Sequence, residues 1–120
     1  MHFDFERFTR TVCRVYQSNE AAPYSIDDVL SVFQYYFSAY ERYTCRIHPY
    51  IKTRQIQSII EKMPFLPENG EISSGIDISP EEYEAMIDQH FVTNYKRCDY
   101  NINHFFSGRI RNLRYYETCY

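Results

Sequence analysis

Residues Ser25 to Arg46 read SIDDVLSVFQYYFSAYERYTCR. Val29, Leu30, Val32, Phe33, Tyr36, Phe37, Tyr40 and Tyr43 recur at helical spacing and leave little of the circumference polar. A helix apolar on most faces needs neighbours on several sides, so this segment is expected to be the spine of the fold. Ser25 supplies an N-cap oxygen, with Asp28 three residues on in the capping-box position. His48-Pro49 ends the segment, because the residue before a proline is pushed out of the α region.

Upstream, residues 2–18 read as a helix: Phe5, Phe8, Val12 and Val15 share one face, and Arg7, Arg10 and Arg14 share another. Pro23 stops it. Downstream, Thr53 is a candidate N-cap for a short helix carrying Ile56, Ile59, Ile60 and Met63, ended by Pro64 and Pro67. Residues 64–78 form the one long irregular stretch. Asn69-Gly70 and Ser74-Gly75 are turn signals, and a short β-hairpin around Asn69-Gly70 is an open alternative that Pro67 and the polar flanks argue against. Ser79-Pro80-Glu81-Glu82 then places a capping serine, a proline at the first helical position and two acids in the first turn. That helix runs through Tyr83, Met86, Ile87, His90 and Phe91 and frays near Tyr95. Asp99 or Asn101 caps a last helix with Ile102, Phe105, Phe106, Ile110 and Leu113 inward, bent or split at Gly108. The expected fold class is therefore all-α: one domain over 1–120, a bundle of about five helices around the long central helix near 26–46.

A chain of 120 residues that is 44% hydrophobic can fill one core. Its 13 tyrosines and 9 phenylalanines, with no tryptophan, are an unusual load. Tyrosine has an apolar body and a polar tip, so it suits both a core edge and an exposed binding face. No run of about 18 apolar residues is present to span a membrane, and the alternating start Met1-His2-Phe3-Asp4-Phe5-Glu6-Arg7 does not read as a signal peptide. The expected compartment is the cytoplasm, with Cys13, Cys45, Cys98 and Cys119 as free thiols.

The net charge of −3 hides a segregation. Residues 63–95 hold Glu68, Glu71, Asp77, Glu81, Glu82, Glu84 and Asp88 and not one lysine or arginine. Such an acidic patch suits a basic partner surface, including the groove of a nucleic-acid enzyme, although Glu81 and Glu82 also have local work at a helix start. Two arginine groups give an alternative. Arg7, Arg10 and Arg14 form one stripe and Arg109, Arg111 and Arg114 another, with Tyr115 and Tyr116 beside the second. Phosphate binding would need both stripes on one face, and a pI near 5.8 is low for a nucleic-acid module.

Motifs for chemistry are weak. Cys45-x-x-His48 and Cys98-x5-His104 could supply four zinc ligands, but the second spacing is poor and packing explains them better. With glycine only at 70, 75 and 108 there is no phosphate loop, and no cysteine carries a nucleophile signature. A helix-turn-helix fits poorly, because the link between the 26–46 and 53–63 helices is long and marked by proline. The chain is expected to be a non-enzymatic binding protein without metal or cofactor.

The run Phe91-Val92-Thr93-Asn94-Tyr95-Lys96-Arg97-Cys98-Asp99-Tyr100-Asn101-Ile102-Asn103-His104-Phe105-Phe106-Ser107-Gly108, with the trailing Arg114-Tyr115-Tyr116-Glu117, resembles short proteins of phages and mobile elements of low-GC Gram-positive bacteria. The likeness covers about the last third of the chain. That pool also yields anti-CRISPR proteins, small single domains that bind an RNA-guided nuclease. The resemblance implies an inhibitor or adaptor acting on a host nucleic-acid-processing protein and assigns no residue a role. Direct nucleic-acid binding through the arginine stripes is the alternative, and self-association through tyrosines is a third.

Overall fold

The computed structural model describes residues 4–17, 24–63, 65–68, 71–93 and 98–119, with backbone alone for 65–68, 71–77 and 108–109. Its elements are α1 (Phe5–Gln17), α2 (Ile26–Thr44), α3 (Thr53–Lys62), β1 (Phe65–Glu68), β2 (Glu71–Asp77), α4 (Pro80–Val92), α5 (Ile102–Phe105) and α6 (Gly108–Thr118). The chain folds as an all-α bundle, with one two-stranded hairpin inserted between α3 and α4.

The spine is where its sequence pattern places it. Ser25 caps α2 by accepting from the Asp28 N–H at 3.2 Å. At the other end Cys45 adopts a left-handed conformation (φ 57°), and its N–H closes the last turn onto the Glu41 carbonyl. Val29, Val32, Phe33, Tyr36, Phe37, Ala39 and Tyr40 are buried on α2. On one side Phe8 of α1 meets Phe33 and Phe37 edge-on, both at 5.0 Å between ring centroids. On another, Tyr36 packs against Phe91 of α4 and Phe105 of α5, at 5.1 and 5.3 Å. Edge-to-face and tilted arrangements suit the ring quadrupoles, so a core this aromatic gains more than its buried area alone.

Four tyrosines fasten backbone carbonyls with their hydroxyls. The Tyr36 hydroxyl donates to the Tyr100 carbonyl at 2.6 Å, and that of Tyr83 donates to the Met63 carbonyl at 2.5 Å. Tyr100 reaches the Thr93 carbonyl at 2.5 Å, and Tyr16 the Tyr24 carbonyl at 2.6 Å. Each bond satisfies a carbonyl outside helical hydrogen bonding, which a phenylalanine could not do.

The hairpin corrects the reading of 64–78 as irregular. β1 and β2 pair antiparallel, with Phe65 opposite Asp77, Leu66 opposite Ile76 and Glu68 opposite Glu71. The register shifts between Leu66 and Glu68, where Pro67 sits. A proline has no N–H for the ladder, and an irregularity at that position removes the need for one. The turn pair Asn69-Gly70 lies outside the described residues, as do Tyr95, Lys96 and Arg97. The last helical region is split as Gly108 suggests: Asn101 caps α5 through its side chain, and α6 begins at Gly108. No described helix is long and apolar enough to cross a membrane.

Candidate functional site

The seven acids divide into three groups. Glu81, Glu84 and Asp88 fall at i, i+3 and i+7 of α4, one stripe of the helix surface, while Tyr83, Met86, Ile87, His90 and Phe91 face the core. Glu81 and Asp88 are exposed and Glu84 is half-buried. The Tyr35 hydroxyl donates to both Asp88 carboxylate oxygens, at 2.7 and 2.9 Å, which ties the stripe to α2. Burial first, and then the Asp88 carboxylate, push the Tyr35 phenol up to about 12. Asp88 is thus oriented while its outer side stays open to solvent.

Glu82 has a different role. Its carboxylate accepts from the Ser79 N–H at 2.9 Å while Ser79 Oγ accepts from the Glu82 N–H at 3.1 Å, a complete capping box. Glu68 and Glu71 are partners across the tip of the hairpin, and Asp77 pairs with Phe65 at its base. All three therefore lie on a segment that leads directly into α4.

The arginines do not form one face. On α1, Arg7, Arg10 and Arg14 are exposed. Arg7 lies over the Tyr50 ring, 5.0 Å from its centroid, and Arg10 pairs loosely with Glu6 at 3.9 Å. Arg111 and Arg114, by contrast, are interior, at 2% and 4% exposure. Arg111 Nη1 donates to the Lys62 carbonyl and contacts the Tyr83 hydroxyl. Arg114 Nε donates to His90 Nδ1 at 3.0 Å, and its Nη1 to Glu117 Oε2 at 3.4 Å. The expectation of a second phosphate-binding stripe at Arg109, Arg111 and Arg114 is corrected accordingly. Two of its three guanidinium groups are consumed inside the fold, and Arg109 is described only as backbone at the start of α6.

His90 stands at the centre of a polar line through the core. Because Nδ1 accepts from Arg114, the ring proton sits on Nε2, which faces Cys98 Sγ at 3.9 Å. Burial chiefly, then the Arg114 cation and His104, lower the His90 imidazole to about 3. Burial also raises the Cys98 thiol. A cysteine–histidine nucleophile needs an imidazole that accepts the thiol proton and is steadied by an acceptor at its other nitrogen. Here the other nitrogen receives a cation's N–H, so this pair opposes thiolate formation and works as a core fastener.

His48 is used in the same way. Its Nδ1–H donates to the Pro49 carbonyl at 2.7 Å, and its Nε2 accepts from the Ile102 N–H at 2.9 Å. With both nitrogens of His48 engaged and Cys98 facing His90 rather than His104, the four residues weighed as zinc ligands do not converge. Among the described residues no group of three or more histidine, cysteine or acidic side chains is placed to hold a metal ion.

Among the described residues, three tyrosines present faces to solvent: Tyr43, Tyr50 and Tyr116. Tyr43 stacks on Phe91, with ring centroids 5.7 Å apart and planes 12° apart, near the C-terminal end of α4. No protein-family model matches the chain, and the searches of curated proteins and of solved structures return no match.

Proposed function

We propose that the chain is a non-catalytic cytoplasmic inhibitor or adaptor that binds a basic groove of a host nucleic-acid-processing protein. The case its phage-type resemblance favours is an RNA-guided CRISPR nuclease. The observation that carries the reading is the acidic stripe of exposed Glu81 and Asp88 with half-buried Glu84 between them on a well-anchored helix, adjoined by the acidic hairpin. A rigid acidic stripe presents negative charge without the ordering cost of a mobile loop, and it speeds encounter with a basic surface. Tyr43 and Val92, at 45% and 60% exposure near the far end of α4, add apolar area beside it.

The test is cleavage of target DNA by a purified guide-loaded nuclease, titrated with this protein and with the triple variant Glu81→Lys, Glu84→Lys, Asp88→Lys. Inhibition by the natural chain and its loss in the variant, with helical circular dichroism unchanged, is the expected result. Equal inhibition by both proteins would remove the acidic stripe from the account. The exposed α1 arginines keep a second reading in view, nucleic-acid binding through Arg7, Arg10 and Arg14 alone. Salt-sensitive binding of labelled DNA or RNA, lost when these three become glutamine, would favour it.

A further inference from the structure

Along α3, Arg54, Ser58 and Lys62 follow one another at i, i+4 and i+8, with Gln55 and Ile59 in the adjacent row. Together with Asn103 and Phe106 they line an open groove of about 250 Å3. Its floor is apolar, because Ile59 and Phe106 are almost fully buried, and its walls are polar. Eight residues of helix place the Arg54 and Lys62 backbones about 12 Å apart along the axis, so the groove has a cation toward each end. Among the described residues no carboxylate lines it.

The remaining hydrogen-bonding capacity is mostly of one kind. Gln55 Oε1 already accepts from the Lys52 N–H at 2.9 Å, which leaves its amide nitrogen as the free group. Asn103 uses one amide hydrogen on Asn101 Oδ1 at 3.0 Å and keeps another. Arg54 and Lys62 can only donate, and the Ser58 hydroxyl can donate as well. A groove of donors with a cation at both ends selects a ligand rich in anionic oxygens.

The geometry points to a binding site for a small polyphosphate-bearing ligand, such as a nucleoside triphosphate, held by its phosphate chain between Arg54 and Lys62. Ile59 and Phe106 are too deeply buried to offer a stacking surface, so recognition rests on the phosphates and not on a base. The net charge of −3 works against a long polyanion and favours a short one. This site is separate from the α4 stripe, and neither proposal depends on the other.

The probes are inorganic tripolyphosphate, a nucleoside triphosphate and a thymidine oligonucleotide, followed by amide chemical shifts and by calorimetry at low salt. The first two are expected to shift resonances of residues 54–62 and 103–106 with similar affinity. Arg54→Gln with Lys62→Gln should weaken both by about tenfold or more. These side chains lie outside the core, and an unchanged thermal melt confirms that the double variant folds. Three outcomes overturn the proposal: no shifts in the groove with either small probe, affinity unaffected by the double variant, or an oligonucleotide that binds more tightly than the triphosphate.

Discussion

Helices α1 and α6 both carry closely spaced arginines, and the fold treats them in opposite ways. On α1 the inner face is filled by Phe8, Val12 and Val15, so Arg7, Arg10 and Arg14 are left outside. On α6, Arg111 and Arg114 turn inward, because the neighbouring segments offer acceptors where a hydrophobic side chain would leave them unmet. These are the Lys62 carbonyl, the Tyr83 hydroxyl and His90 Nδ1. An arginine can be buried when its stem packs and its guanidinium finds fixed acceptors. Charge in a sequence therefore does not mark a surface until the partners are known.

Arg114→Met keeps the stem but leaves His90 Nδ1 without its donor, and it should destabilise the fold by about 2–4 kcal/mol in urea unfolding. Arg10→Met, which removes a loose exposed pair, should change stability by less than about 0.5 kcal/mol. Similar effects at the two sites would mean that the inward arginine is not structural.

Acid sharpens the same contrast. His90 is held at about 3 by burial and by Arg114, well below the ordinary histidine range, and burial lowers His48 in the same direction. A histidine depressed in the folded state stabilises the fold fully above its unfolded value, about 6.5. That contribution is lost as pH falls from there toward 3. Between pH 7 and 4.5, His90 alone should remove about 2–3 kcal/mol, measured as a drop in urea midpoint. His90→Gln should flatten this dependence, and a wild-type midpoint constant over that range would contradict the assignment. On α1, Arg7→Ala loses the contact over Tyr50 and should cost about 0.5–1 kcal/mol.

Much of the bundle was legible in the sequence because its signals are local. Ser25, Ser79 and Pro80 mark helix starts, Gly108 marks the split, and the apolar rows of α1 to α4 have the helical period. The hairpin was only half legible: Asn69-Gly70 signals a turn, but Pro67 argues against a strand unless the register shift beside it is known. The stripe of Glu81, Glu84 and Asp88 is visible from spacing alone, and the capping role of Glu82 from its distance to Ser79. The fates of Arg111 and Arg114 were not visible. Their acceptors stand 49 and 24 residues away in the chain, and no local pattern encodes such a meeting.

On the proposed reading, the α4 stripe takes the place of nucleic acid on a basic protein surface. The most direct measurement is displacement of labelled target DNA from a guide-loaded nuclease, read as fluorescence anisotropy at several salt concentrations. The account predicts displacement that is strongest at low salt, fades as salt rises, and is absent with Glu81, Glu84 and Asp88 changed to lysine. DNA that stays bound at every concentration of the natural protein, or leaves equally well with the lysine variant, would contradict it.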